Sequence, residues 1–316
     1  MTEFKVLITD DVHESCAEAL RSKGCRVTVK PSLTKDELIE AVKEYDAIIV
    51  RGRTRLTRGV IMEAQSLKVI GMAGVGLDNI DLKAASEKGI KVVASPQAST
   101  VAVAEATMAL ILALARMIPE ANKTLKEGLW LKGKFMGFEL RGKLLGIIGF
   151  GRIGKAVAKR ALAFDMKVMV YDVRDVREEA ENMGVKVATT LEELLRESDI
   201  ITLHIPLNES TRHMIGEREI SLMKRGAVII NTSRGGIIDT KALLKALKEG
   251  KLAGAALDVF ENEPPKTEEE WELIRLPNVV VTPHIASQTW EAQVAAASMI
   301  AEEVYKALCE TSSTVC

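Results

Sequence analysis

Features that would assign this chain to a membrane or to a nucleic acid are missing from its 316 residues. The longest wholly apolar run near the middle of the chain, MALILALA at 108–115, has too few residues to cross a bilayer and ends at Arg116. The formal net charge is −1, so no basic field attracts nucleic acid or an anionic membrane surface. We therefore predict neither a nucleic-acid partner nor a membrane partner.

Signals for export, disulfide formation and metal binding are also missing. No basic, apolar leader precedes the first predicted strand, and the four cysteines form no C-x-x-C pair (Cys16, Cys25, Cys309, Cys316). Reduced thiols and a cytoplasmic location are therefore expected. The sequence shows no internal repeat, no Ser nucleophile elbow and no cluster of metal ligands, so we expect no metal.

Short β-branched runs alternate with segments of helical period throughout the chain, which predicts an α/β fold with parallel sheets. Thr34 with Glu37 is a predicted capping box for the second helix. The segment 100–118 is a long apolar helix that should be buried. Predicted strands fall in two series, at 4–9, 25–29, 46–50, 68–72 and 91–93, and then at 143–149, 167–172, 199–204, 226–231, 254–259 and 278–282.

The six later strands already complete a Rossmann sheet, so the helix predicted at 287–308 is free to return to the first series. We therefore predict two Rossmann-like, doubly wound domains, of which the first is discontinuous and flavodoxin-like. It holds residues 1–97 and 286–316 and binds substrate, and the inserted domain, 98–285, binds the cofactor. A small substrate is expected in a cleft between two such domains.

The motif GFGRIG at 149–154 directly follows an apolar strand and opens a helix, which is the context of a dinucleotide-binding turn. Gly149 permits the tight turn, Gly151 lets the backbone approach a pyrophosphate, and Gly154 lets the helix pack on the strand. Asp172 stands at the end of the next strand, where it would bind the ribose hydroxyls and repel a 2′-phosphate. The expected cofactor is therefore NAD.

Three later strands are followed by polar residues, and the carboxyl ends of parallel strands meet at the ligand-binding edge of a sheet. Arg234 in NTSRGG is suited to hold a carboxylate, and His284 in TPHIAS titrates near neutral pH. Asp258 and Glu263 lie in ALDVFENEP, and Glu263 is the candidate to bind the imidazole and raise its pKa. This set suits the reduction of a 2-oxo acid.

The ordered motifs GFGRIG, YD, LHIPL, NTSRGGIID, ALDVFENEP and TPHIAS resemble the D-isomer-specific 2-hydroxyacid dehydrogenase family. The resemblance covers essentially the whole chain and implies a homodimer formed through the region 100–140. It implies Arg234, Glu263 and His284 as the catalytic residues. It also places the substrate-carboxylate loop at Ala73–Gly76, with Val75 and Gly76 as contacts. The implied cofactor contacts are the glycine turn with Arg152 and Ile153, together with Asp172, His204, Ile205, Pro206, Thr232, Ser233, Asp258 and Ala286.

Within the family, the segments KFMGFEL and IVRGRT resemble members that oxidise D-3-phosphoglycerate. Arg51 and Arg53 are the expected phosphate contacts, with Lys134 arriving from the dimer partner. Met72 stands where such members often have an arginine, which keeps a glyoxylate or hydroxypyruvate reductase open as an alternative. An NAD-sensing corepressor is the alternative from another class. The chain is expected to be a short form without a C-terminal regulatory domain.

Overall fold

The computed structural model describes residues 3–311, which divide into two compact units. One unit holds residues 3–99 together with 288–311, and the other holds Thr100–Ser287. The boundaries predicted from the sequence lie two residues from each of these positions. Residues 312–316 of the predicted first domain lie outside the described part of the chain.

The first unit contains a five-stranded parallel sheet of order β2-β1-β3-β4-β5. This is the flavodoxin-like order of a doubly wound sheet, as predicted. Its strands are β1 (Lys5–Ile8), β2 (Arg26–Val29), β3 (Ala47–Val50), β4 (Val69–Met72) and β5 (Lys91–Ala94). Its helices are α1 (Ser15–Ser22), α2 (Lys35–Glu44), α3 (Arg58–Ile61), α4 (Leu82–Glu87) and the terminal helix α13 (Trp290–Thr311).

The terminal helix α13 completes the core of the first unit. Ile300 and Val304 are fully buried in one apolar cluster with residues of β1, β3 and β4. A side chain at Gly71 in β4 would collide with Val304, so glycine is required for this close helix–strand contact. At the start of α2, the predicted capping box between Thr34 and Glu37 is confirmed.

The second unit contains a seven-stranded parallel sheet of order β12-β11-β10-β9-β6-β7-β8. Its strands are β6 (Leu144–Ile148), β7 (Lys167–Tyr171), β8 (Lys186–Val187), β9 (Ile200–Leu203), β10 (Ala227–Asn231), β11 (Leu252–Leu257) and β12 (Val279–Val281). The prediction of six strands is wrong by one, because β8 is a two-residue edge strand that is too short to show a periodic pattern. The Rossmann order around the first βα turn, from β6 to α7 (Arg152–Ala163), is as predicted.

The helices of the second unit include α5 (Thr100–Ala115), which is largely buried as predicted but ends three residues before the predicted residue 118. Its residues Ala104, Met108 and Ile111 pack in one core cluster with β6 and α7. Within residues 3–311, no single helix is long and apolar enough to span a membrane. The pair of α5 and α6 (Ile118–Lys126) together has the length and composition of a span, but the two helices are bent by 64° relative to each other. The helices are α5 (Thr100–Ala115), α6 (Ile118–Lys126), α7 (Arg152–Ala163), α8 (Arg177–Glu181), α9 (Leu191–Glu197), α10 (Glu217–Leu222), α11 (Thr240–Lys248) and α12 (Glu268–Arg275).

The cysteines depart from the expectation in one respect. Cys16 and Cys25 are free and buried, and burial raises the pKa of the Cys16 thiol to about 12. The expectation of reduced thiols is wrong for Cys309, which is disulfide-bonded. The cytoplasmic location drawn partly from those thiols stays a prediction.

Candidate active site and cofactor-binding segments

The glycine turn between β6 and α7 has the geometry that a bound dinucleotide needs. Gly149 has a left-handed φ of +94°, and a side chain there would overlap the backbone carbonyl of His204. A side chain at Gly154 would overlap the carbonyl of Gly149, so the first turn of α7 packs directly against the loop. At Gly151, the residue before α7, an added Cβ would meet nothing within 4 Å. The space in front of the helix is therefore open.

The start of α7 offers backbone donors to that space. Its N-cap, Gly151, supplies no side-chain acceptor to the first turn. The N–H groups of Arg152 and Ile153 therefore point out of the helix end, where the helix dipole favours a negative charge. The Arg152 side chain is exposed and Ile153 is half-buried. This arrangement fits a pyrophosphate.

Asp172 follows β7 and lies beside the glycine turn. Its Oδ2 accepts a hydrogen bond from the Phe150 backbone N–H at 2.8 Å, and its Oδ1 accepts one from the Arg174 backbone N–H at 2.9 Å. The Arg174 guanidinium donates to both oxygens, at 3.2 and 3.0 Å. Burial opposes ionisation of this carboxyl, but the hydrogen bonds from Arg174 and Phe150 outweigh it and lower the pKa of Asp172.

His204 follows β9 in the segment that also holds Ile205 and Pro206. Its Nε2 shares a hydrogen bond of 3.0 Å with the hydroxyl of Thr202. Its Nδ1 is buried and has no hydrogen-bond partner within the described residues. Burial lowers the pKa of His204 to about 3, so the ring is neutral near neutral pH and cannot serve as the proton donor. The His204 backbone lies against Gly149 of the glycine turn, and a buried nitrogen without a partner fits the predicted lining of a cofactor site.

Arg234 lies in a loop that Asn231, the last residue of β10, organises. The Asn231 Oδ1 accepts hydrogen bonds from the Ser233 N–H at 3.0 Å and hydroxyl at 2.9 Å, while its Nδ2 donates to the Arg234 carbonyl at 2.9 Å. The Thr232 hydroxyl is 2.9 Å from that of Thr107 in α5. Sequence reasoning missed Asn231, although an Asn at a strand end is a turn signal.

Close packing brings this loop against the loop that follows β11. A side chain at Gly235 would overlap the backbone of Phe260. The Phe260 N–H donates to the Glu263 Oε1 at 3.2 Å, which orients that carboxylate. The charge of Arg234 contributes to lowering the pKa of Glu263 and opposes protonation of His284, so Arg234 acts electrostatically on both groups.

Glu263 and His284 form the predicted pair, with the Nδ1 of His284 2.6 Å from the Glu263 Oε2. The hydrogen bond to Glu263 raises the pKa of His284, against a smaller opposing effect of burial. For Glu263, burial acts against ionisation, but the hydrogen bond from His284 outweighs it and lowers the pKa of the carboxyl. The hydrogen bond therefore favours the imidazolium–carboxylate form of the pair, and it leaves the second ring nitrogen of His284 for a substrate.

Asp258 is buried, and its carboxylate faces the His284 loop. It accepts hydrogen bonds from the Thr282 hydroxyl at 2.6 Å and from the backbone N–H groups of Ile285 and Ala286, each at 2.8 Å. Its backbone carbonyl accepts from the His284 N–H at 2.8 Å. These bonds hold His284 at a left-handed φ of 53°, which is costly for a residue with a side chain. The predicted cofactor contacts of Asp258 and Ala286 stay predictions.

In the first unit, the loop that carries Arg51 and Arg53 is held by Asp10 at the end of β1. The Oδ2 of Asp10 accepts from the backbone N–H groups of Arg51 at 2.7 Å, Gly52 at 3.0 Å and Arg53 at 3.2 Å. The Arg51 guanidinium donates to the Asp11 carbonyl and to Gln288, while the Arg53 side chain is exposed. Sequence reasoning missed Asp10, since its partners lie 41 to 44 residues away.

The segment predicted to bind the substrate carboxylate follows β4. Val75 is exposed and Gly76 is half-buried, whereas Met72 is buried in the core of the first unit. The Gly74 carbonyl accepts a hydrogen bond from the Ser95 N–H at 3.0 Å. Met72 therefore serves as a core side chain in this structure.

The region predicted to form a dimer contact exposes large apolar side chains. Trp130 is 80% exposed and Met136 is 87% exposed. Lys134 lies between them in a short 3-10 segment and is also exposed. Ile118, Leu125 and Leu129 are each about half-exposed. Within residues 3–311, no group of three or more His, Cys, Asp or Glu side chains is placed to hold a metal ion.

Comparison with a family model shows where this chain belongs. The model described as "D-isomer specific 2-hydroxyacid dehydrogenase, NAD binding domain" matches residues 108–286. The match covers the glycine turn, Asp172, Arg234, Glu263 and His284. It is thus the second unit that carries the family match.

Relatives with known names are similar over nearly the whole chain. A D-3-phosphoglycerate dehydrogenase of Methanocaldococcus jannaschii is 52% identical over 96% of this chain and 57% of the relative. The chain therefore spans little more than half the length of that relative. A hydroxypyruvate reductase of Thermotoga maritima is 46% identical over 98% of this chain and 99% of the relative. The structure of a glyoxylate reductase from Paecilomyes thermophila matches with a TM-score of 0.88 and 34% identity, over 98% of this chain and 96% of that one.

Proposed function

This chain belongs to the D-isomer-specific 2-hydroxyacid dehydrogenase family, and from that premise we propose that it transfers a hydride between NAD and a D-2-hydroxy acid. The observation that carries the proposal is the 2.6 Å hydrogen bond between His284 and Glu263, and the charge of Arg234 acts on both residues. An acid that titrates near neutral pH next to a carboxylate-binding cation is what this reaction needs.

Each residue of the set has one task. Arg234 binds the substrate carboxylate through its planar fork of donors. His284 removes the proton of the 2-hydroxyl group during oxidation and returns it during reduction, through the ring nitrogen that Glu263 does not bind. Glu263 fixes the ring and stabilises its protonated form. NAD, when bound, would supply the acceptor for the hydride that leaves C2.

The proposed cofactor residues all belong to the second unit. Gly149, Gly151, Gly154, Arg152 and Ile153 would hold the pyrophosphate, and Asp172 would bind the ribose diol. The segments after β9 and β10, with His204, Ile205, Pro206, Thr232 and Ser233, would line the rest of the site. The open space at Gly151 and the unpartnered nitrogen of His204 support this assignment.

The substrate that we propose is D-3-phosphoglycerate, oxidised to 3-phosphohydroxypyruvate at the entry to serine synthesis. The M. jannaschii relative of that name supports it, and so do cations that an unphosphorylated acid does not require. Of these cations, Arg53 is exposed, whereas Arg51 is tied to Asp11 and Gln288. Arg53 is therefore the stronger candidate for the phosphate, with Lys134 supplied by a second copy of the chain.

A reductase of hydroxypyruvate or glyoxylate is the second candidate function. The T. maritima relative of that name matches over almost its entire length, which the phosphoglycerate dehydrogenase relatives do not. Met72 is a buried core residue and adds no cation to a phosphate site. The two candidates differ in substrate only, since the catalytic set is the same.

The deciding experiment compares kcat/KM for 3-phosphohydroxypyruvate, hydroxypyruvate and glyoxylate with NADH. We expect the phosphorylated acid to be preferred, and Arg53→Ala to remove the preference by about tenfold or more, as for loss of a charged hydrogen bond. Arg55→Ala is the matched control, because Arg55 is exposed and lies in the same loop. Preference for an unphosphorylated acid would favour the reductase, and no turnover of any acid would favour an NAD-sensing binding protein.

We also propose a homodimer formed through the region 100–140. The exposed side chains of Trp130 and Met136, with those of Ile118, Leu125 and Leu129, supply the apolar surface that such a contact buries. Lys134 lies within the same surface, which is how a second copy would bring it to a substrate.

A further inference from the structure

One buried carboxylate, that of Glu270 in α12, holds the loop that carries Glu263. Glu270 is 2% exposed. Its Oε1 accepts from the Asn262 backbone N–H at 2.8 Å, and its Oε2 accepts from the backbone N–H groups of Lys266 at 2.8 Å and Thr267 at 3.0 Å. The Asn262 Nδ2 and the Thr267 hydroxyl donate to the same carboxylate at 3.2 to 3.3 Å. Glu270 therefore binds the loop on both sides of Glu263.

The sequence of this loop offers few donors by which it can be fixed. Pro264 and Pro265 follow Glu263 and have no N–H group. The backbone donors that can anchor the segment therefore lie before and after the two prolines, which is where Glu270 binds it. Thr267 is the N-cap of α12 and forms a capping box with Glu270, so the anchor is fixed to the first turn of that helix.

Glu270 can bind all of these donors only as an ionised carboxylate. Burial opposes its ionisation, but hydrogen bonds from the backbone of Thr267, Lys266 and Asn262 outweigh that effect and lower the pKa of Glu270. An ionised carboxylate accepts at both oxygens and donates nothing, and six contacts occupy this one. A glutamine would turn a donor toward backbone N–H groups, so part of the loop would lose its acceptor.

We propose that Glu270 is a positioning residue for the reaction, which holds Glu263 in place for its hydrogen bond with His284. The proposal rests on the proposed function, in which His284 is the proton donor. Glu263 directly follows Asn262, so Glu270 binds the backbone from which the Glu263 side chain approaches His284 to 2.6 Å. If that backbone shifts, the hydrogen bond that raises the pKa of His284 is weakened.

The test is the pH profile of kcat/KM for reduction by NADH, with 3-phosphohydroxypyruvate and with hydroxypyruvate as substrates. Reduction needs the protonated ring, so the profile falls as pH rises through the pKa of His284. In Glu270→Gln we expect the midpoint to move to lower pH by about half the shift in Glu263→Gln, because the pair is displaced and not removed. The value of kcat should fall by about tenfold, as for a misplaced catalytic group, while Kd for NADH should not change.

Two control variants distinguish positioning from loss of charge and from loss of stability. Glu268→Gln removes an exposed carboxylate from the first turn of the same helix. Thr267→Ala removes the N-cap hydroxyl, which should lower the free energy of unfolding by about 1 kcal/mol. It keeps the backbone N–H groups that bind Glu270. Neither control should move the midpoint of the pH profile.

Glu270→Asp provides the test if Glu270→Gln does not fold. It keeps the charge and an acid at the third position of α12, but its side chain is one methylene group shorter. We expect a smaller shift of the midpoint in the same direction.

A midpoint that stays in place in Glu270→Gln and Glu270→Asp, but moves in Glu263→Gln, would overturn the inference and leave the proposed function intact. An equal shift in Thr267→Ala would also overturn it, because the shift would then follow from a general loosening of α12. A midpoint that does not move even in Glu263→Gln would show that His284 is not the titrating group, and the proposed function would fail with the inference.

Discussion

His284 is constrained through its ring and its backbone by different partners. Glu263 binds its Nδ1, and the carbonyl of Asp258 accepts its backbone N–H. Its left-handed backbone is compatible with function because buried hydrogen bonds on both sides fix the loop. Orientation and charge state of the imidazole are therefore set by separate groups.

Removing the imidazole should affect chemistry more than binding. For His284→Ala we expect kcat to fall by roughly 10²–10⁴-fold with little change in NADH affinity. Arg234→Ala should instead raise KM for the acid substrate, because the carboxylate loses its fork of donors. Steady-state kinetics with NADH titrations distinguish the two variants. Near-normal turnover by His284→Ala would show that another group donates the proton.

The pair with Glu263 predicts a pH dependence. Glu263 raises the pKa of His284, and reduction needs the protonated ring, so kcat/KM for reduction should fall as pH rises through that raised pKa. In Glu263→Gln, the fall in kcat/KM should move to lower pH.

The same pair makes the free energy of unfolding depend on pH. Because the pKa of His284 is raised in the folded protein, the pair's contribution to that free energy is fully present below the unfolded pKa of histidine and is lost as pH rises through the folded pKa.

Glu261→Gln is the control for this profile. Glu261 lies in the same loop but binds His213 at 2.9 Å and the Thr240 N–H at 3.0 Å. It should leave the midpoint of the pH profile where it is in the parent protein. A profile that does not move in Glu263→Gln would exclude His284 as the titrating group.

At the scale of the elements, the conformation of the loop 51–54 is held by hydrogen bonds to one buried carboxylate, that of Asp10. Asp10 is 3% exposed and accepts from four successive backbone N–H groups, those of Arg51–Thr54. Those donors are therefore unavailable to a substrate phosphate. Only the side chains of this loop can bind one.

Asp10→Ala should destabilise the first unit and misplace this loop. We expect the free energy of unfolding to fall by about 3 kcal/mol, because four backbone N–H groups lose a charged acceptor. KM for the phosphorylated acid should rise more than kcat falls. Denaturant unfolding and steady-state kinetics measure the two effects. In Asp11→Ala the backbone carbonyl that binds Arg51 is retained, so both quantities should stay near the parent values.

The elements were largely predictable from sequence because buried strands and amphipathic helices have a local period. The two-residue strand β8 has no such period and was missed. Asp10 was missed because its partners are distant in sequence, and Asn231 because its bonds concern a loop that sequence shows only as glycine-rich. The hydrogen bonds from the Arg174 guanidinium to Asp172 could not be predicted from the sequence, because residues two positions apart in a loop have no fixed relative geometry.

For the whole molecule, the exposed apolar surface of the region 100–140 predicts self-association. We expect sedimentation velocity to show a dimer for the parent protein and a monomer for Trp130→Asp, because the charge would be desolvated in the contact. Val173→Asp is the control, since Val173 is 90% exposed and lies outside that region. A dimer that survives Trp130→Asp would place the contact elsewhere.

The late position of α13 in the chain has a consequence for the order of events during synthesis. A ribosome releases β1 to β5 long before it reaches Trp290–Thr311, and this helix covers one face of their sheet. The intervening residues, Thr100–Ser287, form a compact unit of their own and can fold first. The apolar face of the N-terminal sheet stays exposed until α13 has been synthesised. We therefore expect the nascent chain to need a chaperone most just before α13 emerges from the ribosome.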